Sequence, residues 1–119
     1  MNPASFQNLL LRGGFLLRKV VLTDTPLRDA MGRLALARTT ITGVIMEVEI
    51  SGAPENAEEH SISLYHEILE GASVAATNPP PAVCELNEAG YEAAARDYHR
   101  RLGPASPDRL NEMLAEFGF

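Results

Sequence analysis

The chain has 119 residues, a formal net charge of −6 and 45% hydrophobic residues, with four Phe, three Tyr, no Trp and one cysteine. A chain of this length and composition makes one domain with one core and is not disordered. The lone Cys84 excludes an intrachain disulfide and any multi-cysteine zinc cage, and the acidic balance argues against nucleic acid as a partner.

No apolar run is long enough to span a bilayer. The segment Met1–Leu11 is apolar, but no basic residue precedes Leu9-Leu10-Leu11, unlike a secretory signal. The expectation is a cytoplasmic protein with no membrane partner. Charge is uneven along the chain. Residues 1–46 carry six Arg or Lys against two acids, and residues 47–119 carry four Arg against fourteen. Halves of opposite sign could attract within a monomer or across a homodimer, but solvated acidic faces on the C-terminal helices are the simpler account of the pattern.

In chain order, Ser5 is expected to cap a short helix to Leu11, stopped by Gly13-Gly14. Phe15–Leu22 reads as a strand. Thr25-Pro26 is expected to open a helix with Leu27, Met31, Leu34 and Ala35 on its buried face. Thr39–Ser51 reads as one long strand, with Val44, Met46, Val48 and Ile50 on one side and Glu47 and Glu49 on the other. Residues 52–56 form a loop, and a helix runs from Ala57 to Ala76, ended by Pro79-Pro80-Pro81. Ala82–Leu86 suggests a short strand. Asn87 caps a helix to Leu102, closed by Gly103-Pro104, and Ser106-Pro107-Asp108 opens the last helix. The fold expected for residues 1–119 is α+β: a small sheet from a β-α-β unit packed on helices, with a C-terminal helical layer.

The chemistry-bearing stretch is His66-Glu67-Ile68-Leu69-Glu70. Residues four apart on a helix lie one above the other, so His66 and Glu70 can reach one metal ion, with Glu67 set aside to hold a water. This resembles the His-Glu-x-x-His helix of zincin metalloproteases, in which the histidines bind zinc and the glutamate is the general base. The uncharged Leu64, Ile68, Leu69, Gly71 and Ala72 fit such a buried helix, and the amphipathic strand before it resembles the zincin strand that holds extended peptide. Glu70 stands where the family has its second histidine. The resemblance implies a metal-dependent peptidase or hydrolase acting on peptide or protein, with Glu67 as base and Tyr65 or Tyr98 assisting. Zinc is the metal expected, with manganese or iron as alternatives.

A third ligand is sought in His99 on the next helix, with Glu92 and Glu85 as substitutes. A competing reading is inert: His66 and Glu70 form an i,i+4 pair worth about 0.3 kcal/mol, and His99 complements its helix dipole. The chain would then be a degenerate zincin without metal, or an acidic interaction protein that pairs through a strand edge. Arg12-Gly13-Gly14 reads as a turn, and Cys84 as a small buried residue.

Overall fold

The structure, a computed structural model, describes residues 3–28, 31–51 and 57–119, so the loop expected at 52–56 lies outside the described residues. It is an α+β fold. A single 3-10 turn, Pro3–Phe6, precedes strands β1 (Leu9–Leu11), β2 (Phe15–Thr23), β3 (Leu27–Arg28), β4 (Leu34–Ala35), β5 (Ala37–Thr42) and β6 (Ile45–Ser51). Helices α1 (Ala57–Ala75), α2 (Pro81–Cys84), α3 (Glu88–Leu102) and α4 (Pro107–Phe117) follow. The four-stranded sheet has the order β1-β2-β6-β5, with β2 and β6 parallel and the outer pairs antiparallel; β3 and β4 make a separate ribbon.

Five expectations are corrected. Leu9–Leu11 is a strand, because Asn8 turns the chain at φ 54° and Gly13 and Gly14, at φ 87° and 84°, close a tight hairpin onto β2. Leu27, Leu34 and Ala35 belong to the β3–β4 ribbon and not to a helix. Their helical spacing buries only Leu27, while Met31 and Leu34 stay 78% and 71% exposed. The single long strand is a hairpin, folded at Gly43 (φ 63°), so that Val44 leaves the buried row kept by Met46, Val48 and Ile50. Ala82–Leu86 carries the short helix α2 where a strand was expected, and Cys84 is exposed, its thiol directed at the carbonyls of Pro79 and Pro80.

The C-terminal half follows its caps. Asn87 accepts a hydrogen bond from the Gly90 amide and Ser106 accepts one from Arg109, and Pro107 sits at the first turn of α4. Helix α1 lies between the sheet and α3, in contact with β5, β6, α3 and α4. Its Leu64, Ile68, Leu69 and Ala72 join Leu17, Met46, Val48 and Ile50 in one core with Leu110, Met113 and Leu114 of α4. Each of the larger side chains, Leu, Ile, Val or Met, contributes roughly 1.5–3 kcal/mol of burial. Gly71 lets α1 lie close to the sheet: a Cβ there would meet Thr39 Cγ2 at 3.4 Å and Met46 Sδ at 3.5 Å. Among the described residues, no helix is long and apolar enough to cross a membrane.

Candidate metal centre

The packing of α1 and α3 decides what meets His66. Helices α1 and α3 run antiparallel, so that Ser61 meets His99 while His66 meets Glu92. The second half of α1 therefore faces the first half of α3. Between them and β5 runs a groove of about 850 Å³, lined from α1 by Ser63, His66, Glu67, Glu70 and Gly71 and from α3 by Glu88 and Glu92.

His66 is fixed through one ring nitrogen. Its Nδ1 lies 2.9 Å from Glu92 Oε1, and its side chain is only 13% exposed. Arg96 holds Glu92 in turn, Nη2 to Oε2 at 2.9 Å, and ties it to Glu59 at 3.2 Å. With Nδ1–H donating to Glu92, Nε2 is aimed into the groove. There it faces Glu88 Oε2 at 3.2 Å and Glu70 Oε2 at 3.9 Å. Glu67 points to the sheet side of the groove, where its Oε2 accepts a 2.7 Å hydrogen bond from Thr39 Oγ1.

Charge crowds this corner. Glu70 is pushed up to about 8, first by burial, then by its hydrogen bond with Glu88 and the charges of Glu88 and Glu67, against a lowering by His66. Glu67 is raised chiefly by burial, although the Thr39 hydroxyl and His66 favour its ionised form. Burial pulls His66 down, but the Glu92 hydrogen bond and the charges of Glu67, Glu88 and Glu70 outweigh it and leave the imidazole above its ordinary value. The two carboxyls are raised by burial first and by neighbouring acids second, and the imidazole is raised by the negative charge around it.

The donor set fits a divalent transition metal. One atom from each of His66, Glu70 and Glu88 lies within 4.8 Å of the others. Two ligands, each about 2.0–2.2 Å from one tetrahedral ion, stand about 3.4 Å apart, close to the 3.2 and 3.9 Å separations seen from Nε2. An imidazole that binds metal through one nitrogen and holds a carboxylate through the other is the usual arrangement for such ligands. One imidazole and two carboxylates suit zinc, manganese or iron.

No family model, curated protein or solved structure matches the chain.

His66 and Glu70 meet as their spacing predicts, and Glu67 stands beside them. The third acid is Glu88, in the first turn of α3, a position that the sequence analysis does not name. Glu92, a substitute ligand in that reading, is placed as the partner of His66, and Glu85 does not line the groove. His99 does not join the cluster. It lies two helical turns beyond Glu92, about 10 Å along the axis, with Nδ1 at 2.9 Å from Ser61 Oγ, beside a separate cavity of about 470 Å³. Tyr65 is also removed from the groove. Its ring is fully buried and stacks on Tyr98, its hydroxyl donates to Gly103 O at 3.0 Å, and burial raises its pKa.

The sheet edge completes the groove. Ser51 N donates to Leu36 O, so the paired register makes Leu36, Arg38 and Thr40 the residues bonded to β6. The alternation of antiparallel ladders turns the backbone N–H and C=O of Ala37, Thr39 and Ile41 outward, along an edge with no strand partner among the described residues. All three residues line the groove.

Proposed function

We propose that this chain is a minimal zincin-like metal-binding domain whose groove hydrolyses peptide bonds in an extended peptide or protein. The observation that carries the reading is the convergence of His66 Nε2 with carboxylate oxygens of Glu70 and Glu88, within 4.8 Å of one another in an open groove. Those three residues would hold zinc, or manganese or iron, in place of the His66, Glu70 and His99 set expected from sequence. When bound, the metal supplies Lewis acidity to a substrate carbonyl and acidifies a water.

The chain's own residues do the rest. Glu92 keeps the Nδ1 proton of His66 and so leaves Nε2 free to bind. Glu67 takes the proton from the attacking water and returns it to the leaving amine. Its raised pKa brings it nearer the working pH of a general base. The Thr39 hydroxyl fixes one Glu67 oxygen and leaves the other to reach the water. The outward backbone groups of Ala37, Thr39 and Ile41 align substrate as an added strand.

Elemental mass spectrometry on untagged protein tests this. Near-stoichiometric transition metal in the wild type, lost in His66→Ala, is the expected result. Absence of metal after incubation with zinc, manganese and iron would end the catalytic reading. The open edge of β5 favours one second reading, an interaction domain that binds by strand addition without metal. Under it, peptide binding is indifferent to His66→Ala.

A further inference from the structure

Glu67, Glu70, Glu88 and Glu92 all line the groove, and their spacing along the helices does not say which of them hold metal. The difference is made behind the groove, by Arg96. It stands one turn beyond Glu92 on α3 and reaches across to α1. There it meets Glu59 with both ends of its guanidinium, Nη1 to Oε1 and Nη2 to Oε2, each at 3.2 Å. A paired contact of this kind fixes the plane of the guanidinium, which a single hydrogen bond does not. Nη2 carries a second hydrogen, and from that plane it reaches Glu92 Oε2 at 2.9 Å. The other oxygen of Glu92 is taken by His66 Nδ1, also at 2.9 Å. The contacts thus cross the seam between α1 and α3 twice, from Glu59 to Arg96 and from Glu92 back to His66. Both oxygens of Glu92 are committed, whereas Glu70 and Glu88 each keep one turned to His66 Nε2.

We propose that Arg96 is the positioning residue of the metal centre: it commits Glu92 to Nδ1 of His66, which keeps this carboxylate off the metal and presents Nε2 to Glu70 and Glu88. The proposal rests on the reading that His66 binds metal.

The ring has an acid at each nitrogen, Glu92 at Nδ1 and Glu88 at Nε2. A neutral imidazole carries its proton on one nitrogen and offers a lone pair on the other. The better fixed acid decides which is which. Glu88 is the looser, with its side chain 75% exposed against 39% for Glu92. Without Arg96, Glu92 loses its tie, and the proton can pass to Nε2, where it faces Glu88 and blocks the metal. A lysine at 96 would keep the charge and lose the fork, because one ammonium cannot hold the plane that serves Glu59 and Glu92 together.

Nuclear magnetic resonance of the His66 ring nitrogens tests this in the metal-free full chain, at a pH where the imidazole is neutral. In the wild type Nδ1 should carry the proton, and in Arg96→Gln the Nε2–H form should appear. Zinc affinity, measured by competition with a fluorescent chelator, should fall by about tenfold in Arg96→Gln, the low end of the cost of disturbing a ligand's orienting partner. Arg96→Lys should share most of both changes. Arg100→Gln, which releases Asp97 on the same helix, should show neither. Glu59→Gln loosens the guanidinium from its far side and should move both readouts the same way by less; it decides the matter if Arg96→Gln fails to fold by circular dichroism. A proton on Nε2 in the wild type, full rescue by Arg96→Lys, or either readout unmoved by Arg96→Gln where the wild type binds zinc overturns the proposal. A ring proton that depends on Arg96 in protein that takes up no zinc upholds the positioning and defeats the metal reading. Zinc uptake with both readouts unmoved does the reverse.

Discussion

Two histidines sit on the same seam between α1 and α3, each held through Nδ1 at 2.9 Å, and they do opposite things. His99 meets Ser61, whose Oγ also accepts a 2.8 Å hydrogen bond from the Ala105 amide. That closed polar set pins the start of α1 to the turn between α3 and α4. His66 meets a carboxylate, and its other nitrogen faces two more. A hydroxyl that is itself satisfied ends a network, whereas a cluster of like charges leaves it open to a cation. The residue type is therefore no guide to role on this seam; the group that each Nδ1 meets, a satisfied hydroxyl or a carboxylate among others, is.

The sharpest way to break the comparison is to exchange the losses. His66→Ala should abolish metal uptake, while His99→Ala should leave it intact, both read by elemental mass spectrometry. Equal loss in both would mean that the metal sits elsewhere. Next in size, Glu92→Gln should weaken metal affinity by roughly 10–100-fold, the usual cost of removing a partner that orients a ligating histidine. Competition against a fluorescent chelator measures it, and an unchanged affinity would detach Glu92 from the site. On the closed side, Ser61→Ala should cost about 1–3 kcal/mol in urea unfolding by leaving the Ala105 amide and His99 without their partner, with metal stoichiometry unaltered.

The smallest effect has the most informative sign. Glu70 holds its proton up to about 8 in the folded chain, against 4.5 for the unperturbed group, so the folded state binds the proton more tightly than the unfolded one. Stability contributed by this group is thus present below pH 4.5 and falls as pH rises toward 8. The groups facing it are Glu67 and His66 on α1 and Glu88 on α3, with Arg38 of β5 also lining the groove. Metal-free Glu70→Gln should therefore melt higher than the metal-free wild type, by roughly 5 °C near pH 8, and show little gain near pH 4. Saturating zinc should reverse the ranking, because only the wild type gains binding energy, about 2.7 kcal/mol at a hundredfold excess over Kd. Thermal melts at the two pH values, with and without zinc, decide it.

The sequence was most legible where local signals and burial agree. Asn87, Ser106 and Pro107 mark their helices, and the stripe of Ile62, Tyr65, Ile68, Leu69 and Ala72 is buried as its spacing requires. The N-terminal half misled because the same residues suit two structures. Thr25-Pro26 opens a helix or a turn equally well, and here the Thr25 amide bonds to the Thr23 hydroxyl. The alternating row from Val44 to Ile50 begins after Gly43, whereas in β5 the less exposed residues are Ala37, Thr39 and Ile41; the phase changes at the turn, and the apolar Val44 masked that change. The parallel pairing of β2 with β6, which a β-α-β unit entails, is present although a ribbon lies where that unit's helix was expected. At the site, His66 and Glu70 follow from helical spacing alone. Glu88 does not, because it depends on which end of α3 faces them; the short, proline-rich connection between the helices carried that information.

Gly71 sets the calibre of the groove. A Cβ at this position would stand 3.4 Å from Thr39 Cγ2 and 3.5 Å from Met46 Sδ, ordinary contact, so the helix that carries Glu67 rests on the strand that carries Thr39 with room for a methyl group and no more. A methyl group at 71 would just touch, and anything larger would wedge helix from strand, stretch the Thr39–Glu67 bond and widen the channel. Bore and base alignment are thus tuned by one position that has no functional group at all.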